Sequence, residues 1–135
     1  TFHYRKGDMK RAETLLRAAM ARDSRDYMAR FFYARLLDET GRAAQAQPYY
    51  QDVLLSVPED QEVHAAYGRS LGRAGKPFQA YLHLAYSALY ANDKKRVEQY
   101  SNQAKGQMKT ASDRAMMDRF NTRYKERQEI WKEGM

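Results

Sequence analysis

The stretch "GRAAQAQPYY" at positions 41–50 returns in related form as "GKPFQAYLHL" at positions 75–84. In both stretches a glycine opens the segment, an alanine stands at the sixth position and a large side chain stands at the tenth. The two stretches are offset by 34 residues (75 − 41). A fixed period of this length, filled with apolar residues at helical spacing, predicts a protein built from repeated helix pairs.

The same offset relates further positions along the chain. The matching columns are Gly7/Gly41/Gly75, Ala12/Ala46/Ala80, Leu16/Tyr50/Leu84, Ser24/Pro58/Asn92, Tyr33/Tyr67, Ala34/Gly68 and Leu37/Leu71. These columns predict one domain with a half repeat at 1–24, repeats at 25–58 and 59–92, and degenerate C-terminal helices at 93–135. Because the chain starts without Met and inside a helical pattern, we expect it to be a piece of a longer protein.

Glycine and proline positions set the expected helix limits. Gly41 and Gly75 are typical C-terminal caps, Pro58 follows a helix end, and Pro77 fits the first position of a helix. The helices that follow the half repeat are expected at 26–40, 43–56, 60–74, 77–91, 94–108 and 112–132, the last after a capping box at Thr110–Asp113. The sequence thus predicts an all-α fold, a stack of antiparallel helix pairs with about seven helices.

The last of these helices carries an apolar stripe formed by Met117, Phe120, Tyr124 and Trp131. Charged residues occupy its other positions, so we expect this helix to cap one end of the stack. The paired methionines Met116 and Met117 are expected to pack in the core.

Charge is distributed unevenly along the chain. The net charge is +7, and residues 63–112 hold eight basic and two acidic side chains, an excess of +6. Such an excess favours an acidic partner, whether a protein segment, nucleic acid or an anionic lipid surface. The chain contains no cysteine, which excludes disulfides and Cys-ligated zinc and suits the periplasm and the cytoplasm equally. No apolar run is long enough to span a bilayer.

Two short stretches resemble catalytic or nucleotide-binding motifs but lack the context or residues that these motifs require. Ser70 lies in a match to G-x-S-x-G, but the pattern places it within a helix, where a nucleophile elbow needs a strand before the serine. Gly75-Lys76 lacks the first glycine and the Ser or Thr of a phosphate-binding loop. The histidines His3, His64 and His83 have no second ligand at helical spacing, so we predict no metal, no cofactor and no enzymatic activity, and we expect His64 to pack between helices.

The repeat resembles the tetratricopeptide repeat. Its signature, W-x2-L-G-x2-Y, then A-x3-F, then P, is approached by Tyr33-Ala34-x2-Leu37 with Ala46-x3-Tyr50 and Pro58, and one period later by Tyr67-Gly68-x2-Leu71 with Ala80-x3-Leu84. Arg30 and His64 stand where the signature has Trp. The resemblance implies helix pairs kept close by small residues, a right-handed superhelical stack of those pairs, and a scaffold that recognises other proteins.

Residues 74–108 and 113–130 also resemble the C-terminal repeats of BepA-like periplasmic zinc metallopeptidases of Gram-negative bacteria. That resemblance implies a periplasmic module that docks envelope clients or outer-membrane protein assembly components. The HExxH motif of their catalytic domain is absent from this chain, so no catalytic or metal-binding residue carries over.

We therefore expect a protein–protein interaction module that takes an acidic, extended peptide segment. The first helix of each repeat is expected to line the binding face, with Met28, Phe32, Arg35 and Glu39 in one repeat and Glu62, Ala66, Arg69 and Arg73 in the next. The expected partner-binding residues are Met28, Phe32, Arg35, Arg69, Arg73 and Tyr86.

Two alternatives stay open. The chain could regulate or gate a catalytic domain in cis, which the gene upstream of Thr1 would reveal through an HExxH motif. It could also bind single-stranded nucleic acid, because Tyr81, Tyr86 and Tyr90 are interleaved with Lys94, Lys95 and Arg96. Against nucleic acid, these tyrosines fit core positions of the repeat with their hydroxyls at the rim.

Overall fold

The computed structural model of the chain describes residues 6–134, and within that range it contains seven helices and no strand. The helices are α1 (Lys6–Arg22), α2 (Tyr27–Glu39), α3 (Ala43–Ser56), α4 (Gln61–Arg73), α5 (Pro77–Tyr90), α6 (Lys94–Gln107) and α7 (Ala111–Lys132). The predicted all-α class is confirmed, and the predicted limits from residue 26 onward agree within one residue. His3 and the start of the predicted half repeat lie outside the described residues.

Aspartates start the first helix of each pair. The side chains of Asp26, Asp60 and Asp93 each accept a hydrogen bond from the backbone N–H three residues on, at 2.9, 3.0 and 3.2 Å. Such a cap satisfies one of the backbone donors that a helix start leaves open. The capping box predicted at Thr110 and Asp113 is present at the start of α7.

Left-handed residues end α2, α4 and α5. Gly41 and Gly75 both have φ +76°, and Asn92 has φ 57°. After each of them the next backbone N–H bonds to a carbonyl five residues back, namely Arg42 to Leu37, Lys76 to Leu71 and Asp93 to Ala88. This pattern is the Schellman motif, which glycine and asparagine accommodate without the steric cost of larger side chains. The prediction of C-terminal caps at Gly41 and Gly75 is confirmed.

The described residues divide into two compact units between Pro58 and Glu59, the predicted border between the two full repeats. In the first unit α2 packs on both α1 and α3. Its α2–α3 interface buries Ala34, Leu37, Ala46, Tyr50 and Val53 almost completely. The single domain and the superhelical stack of the sequence analysis remain predictions, since each unit is described here by itself.

In the second unit α5 is central, with α4, α6 and α7 packed against it. A Cβ atom added to Gly68 would lie 3.0 Å from the carbonyl oxygen of Ala80 and 3.1 Å from Cγ of Leu84, so α4 and α5 touch at this glycine. Met117 and Phe120 of α7 are buried in the core of this unit, and Met116, Tyr124 and Trp131 pack at its border. The expected apolar stripe of α7 and the core position of Met117 are thereby confirmed, whereas Met116 is only partly buried at the edge of that core.

Of the helices in the described range, none combines the length and the apolar character that crossing a membrane requires.

Candidate partner-binding surfaces

The exposed face of α2 carries apolar side chains that the first unit leaves uncovered. Met28 and Phe32 are 44% and 45% exposed, and Tyr27 beside them is 37% exposed. Met28 and Phe32 are four residues apart, so they lie next to each other on one side of the helix. Two of the predicted partner-binding residues therefore form one continuous apolar patch.

Arg35 lies one turn further along this face. It is half-buried, and its guanidinium carbon lies 5.7 Å from the centroid of the buried Phe31 ring, a cation–π distance. The Phe31 ring in turn contacts the exposed Phe32 ring at a centroid distance of 6.0 Å. This contact holds the Arg35 side chain along the helix, so its charge stands at the edge of the apolar patch.

On α4 the corresponding positions differ from the prediction at one residue. Arg69 and Arg73 are exposed, but Ala66 is only 6% exposed and belongs to the core. The expectation that Ala66 lines an open binding face is wrong, because its small side chain is almost completely withdrawn from solvent. The open face of α4 is thus formed by polar and charged residues, including two arginines one turn apart.

Ser70 is fully buried within α4. A serine without solvent access inside a continuous helix has neither the strand–turn–helix setting nor the exposure of a nucleophile. The interpretation of the G-x-S-x-G match as a packing feature agrees with this position.

Tyr86, the remaining predicted binding residue, is half-buried in an aromatic cluster of the second unit. Its ring stacks on His64 at 5.1 Å and meets the edge of Phe120 at 4.9 Å. It also stacks on Tyr90, one turn along α5, at 6.1 Å. Burial raises the pKa of the Tyr86 and Tyr90 hydroxyls, so both keep their protons at neutral pH. The predicted partial packing of these tyrosines is confirmed.

A histidine pair lies beneath these rings and was not foreseen. Nδ1 of His64 and Nδ1 of His83 are 3.0 Å apart, and the two rings are stacked. Desolvation, followed by the charge of His64, lowers the pKa of His83 to about 3. The pairing of α4 with α5 around the Gly75 turn could have indicated this contact. Gly68 of α4 faces Ala80 of α5, and His64 and His83 each lie about one helical turn further from Gly75 than these two residues do. The spacing of residues within one helix cannot reveal a pair whose two members lie on different helices.

His64 is 5% exposed, which confirms its expected place between helices. In the part of the chain from residue 6 to residue 134, no three His, Asp or Glu side chains converge as a metal site would need.

The end of α7 is attached to the turn between α5 and α6. The Arg127 guanidinium donates to Oδ1 of Asn92 at 3.1 Å and to Oε1 of Glu59 at 3.4 Å, and it lies 5.6 Å from the Tyr90 ring centroid. The Trp131 indole N–H donates to the same Asn92 oxygen at 3.0 Å. These contacts give Arg127 a structural role that its sequence position did not indicate.

A second unforeseen network ties α1 to α2 in the first unit. Glu13 accepts hydrogen bonds from Arg42 at 3.2 Å and from the Tyr33 hydroxyl at 3.4 Å. The hydrogen bond from Arg42 is the main reason that the pKa of Glu13 is lowered. Arg42 follows the Gly41 cap directly, so this ion pair fixes α1 against the turn that ends α2. We assign these residues to the structure of the unit.

The chain was compared with protein families, curated proteins and solved structures. A family model described as "Tetratricopeptide repeat" matches residues 3–69. No curated protein matches, and no solved structure matches. Residues 3–69 are thus similar to the tetratricopeptide repeat, and the all-helical fold with capped helix pairs agrees with that similarity.

Proposed function

We propose that this chain is a non-catalytic protein-recognition module that binds extended acidic segments at two separate surfaces, the exposed face of α2 in the first unit and the exposed face of α4 in the second. The observation that carries the proposal is the uncovered Met28–Phe32 pair beside the oriented guanidinium of Arg35. An apolar anchor next to an arginine is the composition that dominates binding energy at protein interfaces. Tetratricopeptide repeats commonly bind proteins or peptides, which agrees with this surface.

The size of the apolar patch favours a peptide segment over a second folded chain. An aromatic side chain offers roughly 150–250 Å² of surface, so Tyr27, Met28 and Phe32 together expose on the order of 300 Å². A stable pair of folded proteins buries about 800 Å² on each partner. The patch therefore accommodates one or two side chains of a segment, and Arg35 selects a segment with a neighbouring carboxylate.

The α4 face contributes charge without an apolar anchor. Arg69 and Arg73 are one helical turn apart, about 6 Å along the axis, and both are exposed. Alternate residues of an extended peptide are separated by about 6.6 Å on one side of the backbone, so acidic residues at alternate positions match this spacing. Exposed arginine–carboxylate pairs contribute only about 0–1 kcal/mol each, so this face adds salt-dependent selectivity.

A fluorescently labelled peptide with one leucine flanked by glutamates tests the α2 surface by anisotropy. Phe32→Ser should weaken its binding roughly tenfold, because a buried aromatic anchor is worth about 1–2 kcal/mol or more. Leu55→Ser is the matched control, since Leu55 is 83% exposed on α3 of the same unit. Equal loss with both variants, or no peptide binding at all, would refute the proposal.

A second test reverses the charges of the arginines on α4. Arg69→Glu with Arg73→Glu should reduce binding of the same peptide more than Lys95→Glu with Lys105→Glu, which changes the charge equally on the exposed side of α6. Raising the salt concentration should reduce the difference, because exposed ion pairs are screened. If both double variants bind alike, the charge excess acts through long-range attraction alone and the α4 face has no specific role.

We further propose that the module serves a bacterial envelope zinc metallopeptidase as its partner- or substrate-docking domain in the periplasm. What supports this is the resemblance of residues 74–108 and 113–130 to the repeats of BepA-like proteins. Outer-membrane protein assembly components are then the expected partners. An HExxH motif encoded upstream of Thr1 would support the proposal, and a full-length gene without one would refute it. Such a motif would also raise the alternative that the module gates the catalytic domain in cis.

A further inference from the structure

The outer side of the second unit presents hydrogen-bond donors that nothing in the unit uses. The hydroxyls of Tyr86 and Tyr90 make no hydrogen bond to any residue in the range 6–134, and both keep their protons at neutral pH. The two rings are one turn apart on α5 and stack on each other and on the buried His64. Both tyrosines are only half-buried, so a ligand can reach this surface from solvent.

Arginines of α7 stand beside these hydroxyls. Phe120 packs edge-on against Tyr86, which brings Arg119 and Arg123 close enough for their charges to act on the Tyr86 hydroxyl. Arg119 makes no salt bridge within the part of the chain that the structure describes. Of the described carboxylates, Arg123 pairs only with the exposed Glu126, at 3.7 Å. A pair at that distance on the surface of a helix contributes little and is easily exchanged.

The neighbouring charges do not neutralise this surface. Arg127 binds Glu59 and Asn92 and covers the Tyr90 ring, so Glu59 is already compensated. The carboxylate that remains nearby is Glu126, which the charge of Arg123 offsets. Among residues 6–134, the two hydroxyls and the Arg119 guanidinium therefore have no acceptor, and the Arg123 guanidinium has only the exposed Glu126.

We infer that the surface formed by Tyr86 and Tyr90 of α5 with Arg119 and Arg123 of α7 is a second binding site, and that its ligand is the carboxylates of an acidic protein segment. Every unused group there is a donor or a cation, so the ligand must be an acceptor and an anion. Arg119 and Arg123 are about 6 Å apart along α7, the spacing of alternate carboxylates in an extended chain. The tyrosine hydroxyls then donate to the same carboxylates from the α5 side.

The geometry favours a peptide over single-stranded nucleic acid. Nucleic acid would need free ring faces on which bases stack. Here Arg127 covers one face of Tyr90, and the Tyr86 ring is enclosed by His64, Tyr90 and Phe120. This surface therefore presents the hydroxyl groups of Tyr86 and Tyr90 to a ligand, and not their ring faces.

This second site goes beyond the proposed function, because it uses other helices and has no apolar anchor. The following experiment distinguishes the second site from the α2 surface. An oligoglutamate peptide, which has no apolar side chain, is titrated into the ¹⁵N-labelled chain and followed by NMR. We expect chemical-shift changes around residues 86–90 and 119–123. Arg119→Gln with Arg123→Gln should weaken binding at these residues roughly threefold to tenfold, so that the shift changes there become smaller at the same peptide concentration. The leucine-containing peptide should still perturb residues 28–35 in that variant.

Two further variants make the outcome specific. Arg114→Gln with Lys125→Gln removes two exposed charges from the same helix and should leave the shifts intact. Tyr86→Phe with Tyr90→Phe keeps the aromatic packing, removes both hydroxyls and should weaken binding. The inference is overturned if the arginine variant and its control behave alike, if the shifts map elsewhere, or if oligothymidylate binds these residues more tightly than oligoglutamate.

Discussion

Nδ1 of His64 and Nδ1 of His83 lie 3.0 Å apart across the α4–α5 interface. At that distance one ring nitrogen donates a proton and the other accepts it, so at least one of the two imidazoles is neutral. Both rings support the half-buried Tyr86 of α5, since His64 stacks on it and His83 lies 5.7 Å from it. A histidine pair with at least one neutral ring thus supports the surface on which the second site is proposed.

The stability of the chain should fall with acidification through His83. Its pKa is about 3 in the folded chain against 6.5 for an ordinary histidine, so between these values the unfolded chain binds the additional proton. The stabilising contribution is therefore complete above about pH 6.5 and is lost as pH falls toward 3, by up to about 1.4 kcal/mol per pH unit. Urea unfolding of the parent chain and of His83→Phe at several pH values measures it. The variant should show the flatter dependence, and identical slopes would contradict the assignment.

Gly68→Ala should destabilise the second unit. The new Cβ would lie 3.0 Å from a backbone oxygen of α5, which cannot move without shifting the helix. Overpacking of this kind costs about 1–3 kcal/mol and exceeds the gain of up to about 1 kcal/mol from replacing glycine in a helix. Gly106→Ala is the control, because nothing lies within 4 Å of its added Cβ, and it should be stabilising or neutral. Thermal melts in which both variants gain stability would contradict the close approach at Gly68.

Ala46→Leu and Ala80→Leu should each destabilise the fold by about 1–3 kcal/mol. Both alanines are buried where paired helices approach, Ala46 fully and Ala80 at 7% exposure. Ala44→Leu, on the exposed side of α3, makes the same chemical change outside the core and should have little effect. Guanidinium unfolding compares the three, and a midpoint for Ala46→Leu equal to that of Ala44→Leu would show that the small side chain is not needed there.

Asn92→Ala should loosen the C-terminal end of α7. The substitution removes the acceptor shared by Arg127 and Trp131 and places a residue that disfavours φ 57° in the turn. Trp131 is the only tryptophan of the chain, so its fluorescence should shift to longer wavelength as the indole gains water. Asn92→Gly keeps the backbone conformation accessible and loses only the acceptor, so its shift separates the two causes. Lys125→Ala should leave the spectrum unchanged.

Local features of the sequence were sufficient to predict where the helices begin and end. Gly41 and Gly75 end α2 and α4 because their backbones reach positive φ without strain, and Pro77 begins α5 where no N–H is needed. The 34-residue period located the small residues at helix contacts, as Gly68 shows. Each of these features acts within one turn of backbone, so the residues themselves specify it.

The side-chain contacts between helices depended on the tertiary structure. Ala66 was expected on an open face and is buried, and His64 and His83 form a pair although they are 19 residues apart. Arg127 could be read as a surface charge until α7 placed it on Asn92 and Glu59. Which sides of two helices meet is decided by their register and rotation, and these follow from packing over the whole interface. The period of this sequence determined that helices pair; only the packed α4–α5–α7 arrangement decided which polar groups are satisfied and which stay available to a partner.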